Sequence, residues 1–169
     1  MTLTDLANIA EILGVLAIVF GIAFGAIQLK QHRKQVRTNA ITELARSFEH
    51  REFTEAYRLI ANLPDGLTEK EFGELGDDYV SAALRVGFKF ETVGLLIHKG
   101  VVPMDAMADL VGGAAILIWK KMRRYVEEAR ASQDHDLLFE WFQWLVERLE
   151  ERGEDKRPPA YRAYKNWSE

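Results

Sequence analysis

From Ile12 to Leu29 the chain reads ILGVLAIVFGIAFGAIQL, 18 residues without a formal charge. No other stretch narrows the possible folds as much. A helix of this length spans roughly 27 Å, about the thickness of the hydrocarbon layer of a bilayer. Core helices of water-exposed globules are seldom apolar on every face over such a length. A cleaved leader would carry basic residues ahead of the run, whereas Thr4, Asp5 and Glu11 stand there, and Ala23-Phe24-Gly25 is a poor cleavage site. The expectation is a single-pass transmembrane anchor over residues 1–29. Lys30, Arg33, Lys34 and Arg37 crowd its C-terminal flank, and no Lys or Arg precedes it. That asymmetry predicts a C-terminal part on the cytoplasmic side of a cell inner membrane or plasma membrane. The same four cations are expected to contact lipid headgroups, which makes the lipid bilayer a partner.

Small residues within the run fall at steps of three and four: Ala10, Gly14, Ala17, Gly21 and Gly25. Such a face lets helix backbones approach closely, which predicts a homo-oligomer; Gly and Ala are also common in any helix of this kind. Beyond the anchor about 130 to 140 residues remain, enough for one domain with one core. The chain has no cysteine, so disulfides, thiolate metal sites and cysteine nucleophiles are excluded. A net charge of −4 gives no basic face for nucleic acid, and none is expected as a partner.

No helix breaker occurs between Leu29 and Pro64, so a long basic amphipathic helix is expected over 30–62, with Val36, Ala40, Ile41, Leu44, Phe48, Ala56 and Leu59 on one stripe. A helical domain follows over 63–152. Thr68 and Glu71 form a capping box, and Gly73 and Gly76 interrupt the short helix it starts. Asp77 then opens a central helix that buries Val80, Ala83, Gly87, Phe90, Gly94 and Ile97 and stops at Gly100. After Pro103 and a Gly112-Gly113 break, a further helix buries Ala115, Ile118 or Trp119, Met122, Val126 and Ala129. The last helix is expected to start near Asp134, with Leu138, Trp141, Phe142, Leu145 and Leu149 inward. Residues 153–169 read as an irregular tail whose aromatics dock on the domain. The fold class is all-α: the transmembrane helix, its juxtamembrane continuation and a small cytoplasmic helical bundle.

Chemistry is sparse. His32, His50, His98 and His135 sit at no metal-ligand spacing, and no phosphate loop or nucleophile elbow is present. No catalytic residue, metal or cofactor is expected, and the chain is read as not an enzyme. Asp105 and Asp109 share a helix face, where helix-start charge and solvation are their expected duties. Glu91 stands out as a carboxylate among Phe88, Phe90, Val93 and Leu95. It needs an ion pair with Arg85, Lys89 or an arginine of a neighbouring helix, or else it is a ligand-binding group.

The block FKFETVGLLIHKGVVPMDAMADLVGGAAILIWKKMRRYVEEAR, followed by LFEWFQWLVERL, resembles the DUF4760 domain family of functionally uncharacterised bacterial and archaeal proteins, at Glu91, Gly94, Gly100, Asp105 and Trp119. The resemblance implies an N-terminal transmembrane helix and a helical shape, and it carries no activity. Function is therefore read as that of a membrane-anchored, non-enzymatic interaction or regulatory protein that self-associates, with a domain for a protein partner or ligand. Trp141, Trp144, Tyr161, Tyr164 and Trp167 are possible anchors of that interface. The alternative is a ligand-gated membrane-perturbing effector of the toxin or defence type. An enzyme at the membrane surface would need a polar pocket with convergent carboxylates or histidines.

Overall fold

The computed structural model describes residues 3–168, with side chains described for Gly14 and from Leu16 onward. In order come α1 (Leu3–Phe48), α2 (Arg51–Ala61), α3 (Glu69–Glu74), α4 (Asp77–His98), α5 (Met104–Met107), a π-helical turn (Ala108–Gly112), α6 (Gly113–Gln133), α7 (Glu140–Glu151) and α8 (Ala160–Ala163). The fold is all-α, with no strand among the described residues. The chain divides into two compact units, 1–40 and 41–169.

The first unit is helical over its described residues, and its described apolar side chains face outward. Leu16, Ile18, Val19, Phe20, Ile22, Phe24, Ile27 and Leu29 are all exposed, Phe20 at 70% and Ile22 at 69%. Among the described residues no helix is long and apolar enough to cross a membrane. Two corrections follow. The expected single-pass transmembrane anchor over 1–29 is overturned, and so is the location in an inner or plasma membrane with a cytoplasmic C-terminal part. The overturning finding is that no described helix carries an apolar stretch of a full crossing length. The side chains of Ile12, Leu13 and Val15, part of the expected span, lie outside the described residues.

The second unit buries one core. At its centre lies α4, flanked by α2 and α7, while α6 closes the far side against α2, α3 and α7. Fully buried are Ile60 from α2, Phe72 from α3, Val86, Phe90 and Val93 from α4, Ile118 and Met122 from α6, and Phe142, Leu145 and Leu149 from α7. Two predicted stripes are found on their helices: Ala83, Gly87, Phe90, Gly94 and Ile97 on α4, where Val80 is only half-buried, and Ala115, Ile118, Trp119, Met122, Val126 and Ala129 on α6; of the stripe expected over 30–62, Val36 is exposed. The core holds no buried polar or charged residue among those described.

Caps explain several boundaries. The Thr68 hydroxyl accepts from the Glu71 amide at 3.1 Å, and the Glu71 carboxylate accepts from the Thr68 amide at 2.8 Å, so the predicted capping box is present. Gly100, at φ +69°, stops α4. Gly76, at φ +102°, caps α4 in place of Asp77, which is the first helical residue. Three expectations differ. The helix expected over 30–62 turns at Glu49 and His50, because the turn lets Phe48 and Phe53 both pack on Phe90, at 5.9 and 6.2 Å between ring centres. Gly113 is helical, so Gly112-Gly113 is a π-helical entry into α6 and no break. Asp134 takes a left-handed conformation that ends α6, and α7 starts six residues later, after Phe139, also left-handed. The Arg130 guanidinium ties this turn by donating to the Leu138 carbonyl at 2.9 Å and to Gln143 Oε1 at 2.6 Å.

Candidate binding cleft at the corner of α1 and α2

The chain turn at Glu49 and His50 brings the last turn of α1, the first turn of α2 and the middle of α4 together. Between them opens a cleft of about 280 Å³, lined by Ser47, His50, Glu52, Phe53, Arg85, Phe88, Lys89 and Thr92. All of these belong to the second unit. Lys89 reaches into it from α4 and donates to the Ser47 hydroxyl. Its ammonium lies 5.0 Å from the centre of the Phe48 ring and 6.0 Å from that of Phe53, a placement that attracts a cation to the ring faces. Burial holds the Lys89 amine below the ordinary lysine range. Among the described residues no carboxylate pairs with it: Glu52, the one acid lining the cleft, bridges Arg85 at 2.9 Å. The Ser47 hydroxyl donates to the Leu44 carbonyl at 2.5 Å, and the Thr92 hydroxyl to the Phe88 carbonyl at 2.9 Å. The site therefore combines unspent positive charge with two phenyl faces.

Sequence reasoning missed this cleft. The signal present was a lysine between two phenylalanines, Phe88-Lys89-Phe90, which read only as a possible mate for Glu91. Its actual neighbours lie some forty residues earlier, beyond the reach of any local pattern.

Glu91 is half-buried on the face of α4 that meets α7. Its carboxylate accepts from the Phe142 amide at 2.8 Å and also takes a hydrogen bond from the Trp141 amide. These are first-turn amides of α7, whose own N-cap residue Phe139 offers no side-chain acceptor. Glu91 thus caps α7 from another helix, where an ion pair with Arg85, Lys89 or an arginine of a neighbouring helix was expected; Arg85 goes to Glu52 and Lys89 to Ser47, and Arg130 of α6 acts on it through charge alone. Burial raises its pKa, and the two amide bonds pull it back. On either side of Glu91, Gly87 lies under the Phe139 ring and Gly94 under the Trp141 carbonyl.

The other sequence candidates disperse. Gly14, Ala17, Gly21 and Gly25 are exposed on α1, and a Cβ added at any of the three glycines would meet open space. The side chain of Ala10 lies outside the described residues. Lys30, Arg33, Lys34 and Arg37 are exposed on the same helix. His98 packs tilted against Trp141 at 4.5 Å and edge-on against Trp144 at 5.6 Å between ring centres. Among the described residues no cluster of three His, Cys, Asp or Glu side chains is placed to hold a metal. Asp105 pairs with Arg152 at the end of α7, and Asp109 binds the tail through Arg157 at 2.6 Å. The tail aromatics do not dock, since Tyr161, Tyr164 and Trp167 are 72%, 68% and 69% exposed.

A family model described as a domain of unknown function, DUF4760, matches residues 8–149. No curated protein and no solved structure matches the chain.

Proposed function

The chain belongs to the DUF4760 family, and from that premise we propose that it is a non-enzymatic interaction protein that assembles through the exposed part of α1 and carries a ligand-binding helical domain. The carrying observation is the outward-facing apolar run of α1 from Leu16 to Leu29. Burying a Leu, Ile or Phe side chain is worth roughly 1.5–3 kcal/mol, so eight of them left in water drive association strongly. The occupant we assign is further copies of the same chain. Gly14, Ala17, Gly21 and Gly25 share one arc of the helix, and Gln28 continues it. A seam of small residues lets two backbones come close, and identical seams are self-complementary. Pairing over that arc alone leaves Leu16, Val19, Phe20 and Ile27 in water, so each helix must be contacted on more than one side. The assembly is accordingly larger than a dimer.

Light scattering on the purified full chain tests this. The expected mass is three or more times 19.3 kDa at micromolar concentration. A stable species of 19.3 kDa would refute assembly, and a species of twice that mass would refute contact on more than one side.

A further inference from the structure

We propose that the cleft between the end of α1, the start of α2 and the middle of α4 binds a small organic anion, whose carboxylate or phosphate group pairs with Lys89 and whose apolar body lies against Phe53 and Phe88. The inference gives a ligand class to the helical domain of the reading above, and rests on it for that domain's role.

Charge is the first argument. Two cationic side chains line the cleft, Arg85 and Lys89, against one carboxylate, and that carboxylate is already engaged by Arg85. A positive charge is left over, on a half-buried ammonium that has lost part of its hydration. Such a group is costly to keep unless an opposite charge completes it. Of the three ammonium protons one is spent on Ser47, which leaves donors for an incoming anion. His50, on the rim, supplies a further ring N–H.

Shape is the second argument. Phe88 is 58% exposed although it stands beside the core residue Phe90, and Phe53 is half-buried next to it in the cleft. Two ring faces beside a lone cation suit a ligand with one charged end and one flat or aliphatic end. At about 280 Å³ the space admits one ring or a short chain and excludes a dinucleotide or a folded peptide.

Titration calorimetry on the full chain near neutral pH tests the proposal, with phenyl phosphate and benzoate as anionic probes and benzyl alcohol as the neutral one. At least one anion should bind saturably and benzyl alcohol should not; the tighter of the two anions identifies the group recognised. Lys89→Met keeps the apolar stem and removes the charge, and should weaken binding by about tenfold or more. Thr92→Glu, at an exposed position on the rim, should do the same by placing a rival carboxylate in the cleft, with circular dichroism to show that each variant is folded. No saturable anion binding by the native chain, equal binding by both folded variants, or equal affinity for benzyl alcohol overturns the idea. An assembled chain that ignores both anions sinks the cleft alone. A monomer that binds them sinks the assembly and leaves the cleft standing.

Discussion

At Glu91 two forces act on one carboxyl group in opposite directions. Desolvation favours the protonated form, while the Phe142 and Trp141 amides favour the charged one, and desolvation is the larger. A carboxyl group whose folded pKa is raised contributes stability that is fully present below its unfolded pKa and is lost as pH rises through the folded value. Relative to Glu91→Gln, which can still accept an amide bond, the native chain should therefore be most favoured in acid. Its advantage should shrink as pH climbs from the ordinary glutamate range to the raised value, then level off. Urea melts at a series of pH values measure this, and an advantage that grows with pH would show that the amide bonds outweigh burial. Removing the acceptor altogether, with Glu91→Ala, should cost about 1–2 kcal/mol at any pH, as the loss of a helix cap does. That Glu91 needed a partner was legible in its apolar sequence neighbourhood. That the partner is the start of another helix was not, because backbone amides carry no sequence signature.

Elements with side-chain punctuation were readable, and those set by packing were not. The Thr68 and Glu71 box and the stop at Gly100 follow from local hydrogen bonding and from a positive φ. The turn at Glu49 and His50 has no Pro or Gly, and arises because Phe48, Phe53 and Phe90 gain ring contacts that a straight helix would forgo. The late start of α7 is similar. Phe139 is held left-handed where its buried ring fits over Gly87 and against Phe88, 5.2 Å between centres. The close crossing expected from the small residues of α4 is present at α7. A Cβ at Gly94 would overlap the Trp141 carbonyl oxygen and stand 2.7 Å from its carbonyl carbon. Backbone cannot swing aside as a side chain can, so Gly94→Ala should cost roughly 1–3 kcal/mol in thermal or urea unfolding. A neutral effect would mean that α7 slides along α4 freely.

For the whole molecule, the binary pattern carried most of the core of the second unit: α4 and α6 bury the stripes their spacing foretold apart from the half-buried Val80, while Leu138 and Trp141 stay half-buried ahead of and at the start of α7. The first unit was misread because length and lack of charge were taken to require a bilayer, whereas no described helix is long and apolar enough to cross one. If copies of α1 cover one another, Phe20→Lys or Ile22→Lys should lower the assembled mass while the helical domain keeps its circular dichroism. Unchanged mass in both would place the contact elsewhere. The C-terminal tail ends the chain on a different principle. Its rings face water, and the Arg157–Asp109 pair that fastens it is exposed, worth about 0–1 kcal/mol. Raising salt from 0.1 M to 1 M shrinks the screening length from about 10 Å to about 3 Å. Ionic strength should thus unbuckle this segment while the core stays intact, and trypsin should clip after Lys156, beside the released Arg157, faster in concentrated sodium chloride, against the general slowing seen on a reference peptide.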